Sequence, residues 1–287
     1  MSILRPDWTI KNKNSNKEII DLSKNCCYDT VLNKKFNEFL NEIYFDIHLF
    51  PDDFTVYDSI SSHYNLKKSN LAIGLGTWEL IDRILYTFDY KTIYYSLPTW
   101  NHIQIISKKN NYEFCNNADV LYLENPNGQT GEQLSKDEVL KLIQNYKLVI
   151  IDEAYGDFGT YQMFGEEFEN VFITKTFSKL FSFTGIRQAF AFSNEKLINK
   201  IQQNRMNFSS TSFSGLTLDF LFSHKNDHIQ RMKNTKKYLE NKYEHIKSYS
   251  NSVFLKERPM FIKKNIKILE SNDVFRMALC SMDLIDR

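Results

Sequence analysis

From Leu71 onward, short apolar runs alternate with amphipathic stretches, and this alternation most constrains the fold. Gly74-Leu75-Gly76-Thr77 opens a helix over Trp78 to Phe88, and Thr92 to Leu97 is an apolar strand ended by Pro98. Thr99 to Lys109 has helical spacing, and Asp119 to Leu123 is a strand closed by Asn125-Pro126-Asn127-Gly128. Ser135 predicts an N-cap, with Glu138 completing a capping box for a helix running to about Tyr146. Lys147 to Ile151, Val171 to Thr174 and Gln188 to Phe192 read as buried strands. Strands and helices in this order predict an α/β fold, a largely parallel central sheet flanked by helices. Ligands in such folds sit at the carboxyl ends of the strands. That rule gathers four segments at one edge: Pro98 to Trp100, Asn125 to Gly131, Asp152 to Tyr155 and Thr176 to Lys179.

The flanks read differently. Residues 1–30 are polar and irregular, 31–47 have helical spacing, and Pro51-Asp52-Asp53 breaks the chain. After Asn194 long helices run to about Ser250, then a short strand at Ser252 to Leu255. The expected division is an N-terminal arm and small-domain segment at 1–50, a ligand-binding large domain at 51–225 and a shortened C-terminal small domain at 226–287. The formal charge of +1 supplies no field for nucleic acid or an acidic membrane. Four cysteines (Cys26, Cys27, Cys115, Cys280) lack metal-ligand spacing, and a reduced, cytoplasmic protein without a metal is the expectation. No apolar run approaches the ~18 residues of a membrane span, and the N-terminus shows no signal-peptide core. His224 and His228 stand one helical turn apart and read as a solvated face, not a metal site.

Lys179, in Thr176-Phe177-Ser178-Lys179, is followed by Arg187 eight residues on. An amine can form a Schiff base with an aldehyde, and a guanidinium can hold a phosphate as a bidentate fork. Pyridoxal phosphate (PLP) carries both groups. Gly76-Thr77 before a helix suits phosphate, or is a plain turn; Glu79 stands where a dinucleotide fingerprint needs its third glycine. Trp100 after Pro98-Thr99 can stack on a flat ring, or is core. Asp152 at a strand end can pair with a protonated pyridine nitrogen and keep the ring an electron sink, or is a solvated turn acid. Tyr155 can hydrogen-bond the ring's phenolic oxygen. Burial and nearby cations predict a lowered pKa for Lys179.

Taken together these segments resemble fold-type I PLP enzymes of the class I and II aminotransferase superfamily, over about Leu22 to Arg276. The nearest likeness is to the histidinol-phosphate aminotransferases and threonine-phosphate decarboxylases. The matching stretches are Gly-Leu-Gly-Thr-Trp-Glu-Leu-Ile (74–81), Leu-Pro-Thr-Trp (97–100), Asn125 to Gly131, Asp-Glu-Ala-Tyr (152–155), Thr-Phe-Ser-Lys (176–179) and Phe275-Arg276-Met277-Ala278-Leu279. The resemblance implies a transaminase with catalytic Lys179, Asp152 and Tyr155. It implies cofactor contacts from Gly76, Thr77, Trp78, Trp100, Asn127, Asp152, Tyr155, Thr176, Ser178, Lys179 and Arg187. Arg276 would clamp a substrate carboxylate, with Asn25 beside it. It also implies small-molecule amino donor and keto acceptor, and a homodimer with active sites at the interface. Decarboxylation of a phosphorylated amino acid, or a degenerate relative that only binds, are the alternatives.

Departures from the family pattern stand out. Gly128 occupies the place of the family's phenolic-oxygen asparagine, leaving Asn127 or Asn125 as substitutes. Phe50, not tyrosine, precedes Pro51, with Tyr57 as a replacement. Lys24-Asn25-Cys26-Cys27 differs from the family's Asn-Glu-Asn, and about twenty residues separate Leu255 from Arg276.

Overall fold

The computed structural model describes residues 20–44, 48–260, 266–271 and 273–285. The N-terminal part gives β1 (Ile20–Asp21), α1 (Thr30–Glu42) and α2 (Asp53–Tyr64). Then follow β2 (Leu71–Gly74), α3 (Thr77–Thr87), β3 (Thr92–Tyr95), α4 (His102–Lys109), β4 (Glu113–Phe114) and β5 (Val120–Glu124). Next come α5 (Lys136–Ile143), β6 (Leu148–Asp152), β7 (Val171–Thr176), the one-turn α6 (Phe177–Leu180), β8 (Ala189–Phe192) and α7 (Glu195–Gln202). The long α8 (Ser212–Lys242) leads to β9 (His245–Ile246), β10 (Ser252–Leu255), β11 (Ile266–Lys267), β12 (Leu269–Ser271) and β13 (Val274–Ala278).

Seven strands form the central sheet in the order β2-β8-β7-β6-β5-β3-β4. β8 is antiparallel to both neighbours, and the remaining pairings are parallel. This is the largely parallel α/β sheet that the alternation predicts. Its central strands β6 and β7 are buried along their whole length. Successive residues of β6 enter opposite cores: Val149 and Ile151 join one cluster, Leu148 and Ile150 the other. The second cluster is completed by Leu80, Ile81 and Ile84 of α3 and Ile103 and Ile106 of α4.

Ser135 and Glu138 form the capping box expected of them. The fourth helix starts at His102 and not Thr99, because Thr99 and Trp100 are held back in the loop after Pro98 by Glu124. Helix α2, unread in the sequence, is opened by the Asp52 side chain and closed by left-handed Asn65. The last residues expected in the first helix, 45–47, lie outside the described residues, as does most of the polar N-terminal stretch.

Four antiparallel strands, β12-β13-β10-β9, make the smaller sheet, and β1 pairs with β11. Helix α8 runs unbroken through position 225, where the sequence division places the large-to-small boundary. Its buried stripe includes Leu218, Leu221, His228, Met232, Thr235 and Leu239. His228 therefore corrects the reading of its pair as a solvated face: it is fully buried, with Nδ1 2.8 Å from Asp29 and Nε2 2.8 Å from the Leu180 carbonyl. Asp29 also caps α1 and accepts from Arg231, tying the chain start to α8. Burial opposes ionisation of Asp29, but the His228 and Arg231 bonds hold its carboxyl well below the ordinary range. Among the described residues no helix is long and apolar enough to cross a membrane.

Candidate active site

The carboxyl ends of β5, β6 and β7 lie side by side. Glu124 and Asp152 are register partners on adjacent strands, and Lys179 follows β7 on the first turn of α6. Thr176 caps that turn, its hydroxyl accepting from the Ser178 amide at 3.2 Å. The Lys179 amine donates to the Lys24 carbonyl at 3.0 Å and lies 3.9 Å from Cys26 Sγ. The segment 24–27 thus passes directly over the lysine. It is fastened there by Cys27 N–H to the Lys179 carbonyl and by Asn251, which donates to the carbonyls of both Asn25 and Lys179.

The expected lowering of the Lys179 pKa is corrected by the surroundings. Burial does pull it down, but Tyr155, Cys26 and Glu124 more than offset this, and the net direction is upward. The cation acting on it is Arg276, not Arg187. Acidic groups on β5 and after β6 converge on the amine, which sequence spacing alone conceals.

Asp152 is buried, accepting from the Tyr122 hydroxyl at 2.9 Å and the Ala154 amide at 3.0 Å. Burial raises its pKa despite these bonds and the nearby Lys179 charge. A carboxylate held this way is stabilised by a cationic partner. Tyr155 is buried as well, its hydroxyl pushed up to about 12 by burial against the opposing Lys179 charge. The turn after it is pinned by Asp157, which lies 2.8 Å from both Lys175 and Lys225.

Gly128 is explained by Tyr155. A Cβ at 128 would lie 2.3 Å from the tyrosine ring, so the ring occupies the space a side chain needs. Asn125 is spent on Tyr161 and the Leu134 amide. Asn127 donates to the Pro98 carbonyl and accepts from the amides of Gln129 and Thr130. The amide reaching toward Tyr155 belongs instead to Asn25, left-handed and buried, whose Nδ2 is 2.7 Å from the Gly128 carbonyl and 3.4 Å from the Tyr155 hydroxyl.

At the far side, Gly76 has φ +105 and starts α3 with no side-chain cap. The Arg187 guanidinium lies directly over it, where a Cβ would come within 2.4 Å of Nη2. Only glycine permits this close approach. Free helix amides under a guanidinium, with Thr77 beginning the helix, form an anion cradle. Trp78 and Trp100 meet edge-on at 5.9 Å, and His102 contacts both rings.

Arg276 on β13 is buried and donates to the carbonyls of Ser23 and Gly128 and to Gln129 Oε1 at 2.8 Å. Its Nε finds no acceptor. Tyr57 is corrected: it is buried in its own chain, its hydroxyl accepting from Gln202 Nε2 at 2.7 Å and facing the Ile73 amide. It is not free to reach a neighbouring subunit.

Sequence reasoning missed Glu124, which is 7% exposed and gathers donors from Thr99, Trp100 and Gly128. Burial and the neighbouring Asp152 push its pKa up to about 7. A carboxylate ending an apolar strand immediately before Asn-Pro was the available signal.

These residues suit PLP on grounds of their own. Gly76 beneath the Arg187 guanidinium offers a glycine-only anion cradle, Asp152 a buried carboxylate whose pKa burial raises despite the nearby Lys179 charge, and Lys179 the amine. The comparisons agree. The family model described as aminotransferase class I and II matches residues 61–266. The histidinol-phosphate aminotransferase of Ruminiclostridium cellulolyticum is 26% identical over 89% of this chain and 79% of its own length. The matched stretches cover from about half to about four fifths of the length of the curated relatives. Among solved structures, the histidinol-phosphate aminotransferase of Sinorhizobium meliloti in complex with pyridoxal-5'-phosphate has a TM-score of 0.76 at 14% identity, covering 93% of this chain and 88% of that one. The L-threonine-O-3-phosphate decarboxylase of Porphyromonas gingivalis has a TM-score of 0.67 at 17% identity, covering 91% and 94%. At these identities the two structures speak for the fold. With the family model spanning most of its length, the chain belongs to the class I and II aminotransferases.

Proposed function

We propose that the protein is a PLP-dependent aminotransferase acting on an amino acid or amino-phosphate compound, in the manner of the histidinol-phosphate aminotransferases it resembles. The observation that carries this reading is the placement of Asp152, Tyr155 and Lys179 at or just after the carboxyl ends of β6 and β7, with Arg276 of β13 donating to the carbonyl of Gly128, against which the Tyr155 ring packs. When bound, PLP supplies an aldehyde for amine exchange and a ring that takes up the electron pair left on the substrate α-carbon.

The chain's own residues do the remaining work. Gly76, Thr77, Ser178 and Arg187 would hold the phosphate. Asp152 would keep the ring nitrogen protonated, and Trp100 would supply the stacking face. Tyr155 would donate to the phenolic oxygen. Lys179 would anchor the cofactor through its amine and serve as the base that moves the proton at the substrate α-carbon. Arg276, which here donates to Gln129 Oε1 and the carbonyls of Ser23 and Gly128, would take the substrate carboxylate in their place. Purified protein should acquire a visible cofactor band with PLP, and an amino donor should convert that band while releasing keto acid. Release of carbon dioxide without keto acid would instead identify a decarboxylase, and a protein that takes up no PLP would refute the reading.

The assembly is proposed to be a homodimer. Leu49, Phe50 and Phe54 are largely exposed, and Phe50 stacks on Phe208 at 4.7 Å. Apolar surface concentrated in this way suits a partner copy. Sedimentation should give a dimer, and the double variant F50D/F54D a monomer; a monomeric wild type would contradict this.

A further inference from the structure

We infer that Glu124 is a positioning residue that clamps the Trp100 segment to the Gly128 loop and so shapes the cofactor pocket; this rests on the aminotransferase reading. Three donors from two separate loops converge on its one carboxylate. The Thr99 hydroxyl donates to Oε2 at 3.0 Å, the Trp100 amide to Oε2 at 2.9 Å, and the Gly128 amide to Oε1 at 3.0 Å.

The placement makes the clamp matter to the site. Glu124 stands beside Asp152 on the next strand. One loop it holds carries Trp100; the other carries Gly128, whose missing side chain admits the Tyr155 ring and whose carbonyl receives both Asn25 and Arg276. A single carboxylate thus fixes the ring-stacking residue, and through Gly128 the groups around Tyr155 and the substrate-carboxylate arginine. Hydrophobic packing does part of this job: Trp100 is half-buried against the second core cluster and meets Trp78 edge-on. All three partners donate to it, and a carboxylate has acceptor oxygens for every one of them.

Glu124→Gln keeps the volume but offers one acceptor oxygen and one amide. Either orientation leaves a backbone N–H, of Trp100 or of Gly128, facing another donor. In the cofactor-free protein water can reach a relaxed loop; with PLP bound the loop has to hold its place. The loss therefore appears in cofactor binding. The test is titration of apo wild type, Glu124→Gln and Thr99→Val with PLP, followed by visible circular dichroism of the bound chromophore, with thermal melting of each apo protein. Expected are apo melting close to wild type, PLP affinity lowered about ten- to a hundredfold in Glu124→Gln, a weakened dichroic band, and a smaller loss of the same kind in Thr99→Val. Unchanged affinity and dichroism in Glu124→Gln would overturn the inference, as would lowered apo melting with unchanged affinity. Should Glu124→Gln fail to fold, Thr99→Val decides: a wild-type titration curve rejects the clamp. A wild type that binds no PLP rejects the underlying reading itself.

Discussion

Replacing Lys179 with alanine is expected to lower turnover by about three orders of magnitude or more, since both the covalent attachment and the proton carrier are lost. The fold should survive. The amine donates to the Lys24 carbonyl and, at longer range, to Cys26 Sγ, and the backbone of Lys179 remains tied to Cys27 and Asn251. PLP can still be held through the Gly76–Arg187 cradle and Asp152, so binding should weaken far less than turnover. Steady-state kinetics with a reactive amino donor, beside a PLP titration, separates the two. Activity within tenfold of wild type would show that another group moves the proton.

The second large effect is expected from Asp152→Asn. Asparagine keeps the shape, accepts from the Ala154 amide, and the Tyr122 hydroxyl can turn to accept from its Nδ2. What disappears is the charge that keeps a ring nitrogen protonated. A fall in kcat of about 10²–10³-fold is expected, the scale typical of one preorganised electrostatic contact. Stability should move the other way. The folded-state pKa of Asp152 is raised, chiefly by burial. A raised carboxyl pKa means that ionisation is resisted by the native state, so apo wild type loses stability as pH climbs above the unfolded value of about 4. The variant carries no such burden. Apo Asp152→Asn should therefore melt at or above wild type at neutral pH, with the gap narrowing toward pH 4. Full activity, or a variant that is destabilised increasingly as pH rises, would contradict this assignment.

Much of the architecture was legible because it rests on local rules. The Ser135–Glu138 box, the apolar runs of β5 to β7 and the glycine before α3 each announce themselves within a few residues. The strand-end rule then gathers Trp100, Asn127, Asp152, Tyr155 and Lys179 without knowledge of any contact. What escaped notice depends on partners far along the chain. Glu124 acts through Thr99 and Trp100, more than twenty residues earlier. His228 is buried because Asp29 meets it across 199 residues. The upward shift at Lys179 comes from Tyr155, Cys26 and Glu124, which only the folded chain brings together. Tyr57 looked available by position, yet Ile73 and Gln202 claim its hydroxyl within the core. Gly128 read as the absence of the family's asparagine; the Tyr155 ring fills the space a side chain there would need.

One measurement goes to the centre of this account. Protein loaded with PLP is reduced with borohydride, digested and mapped by mass spectrometry. The account predicts a pyridoxyl group on the peptide bearing Lys179, and no such label in Lys179→Ala. A label on another lysine, such as neighbouring Lys175, or no label at all on the wild type, would contradict it.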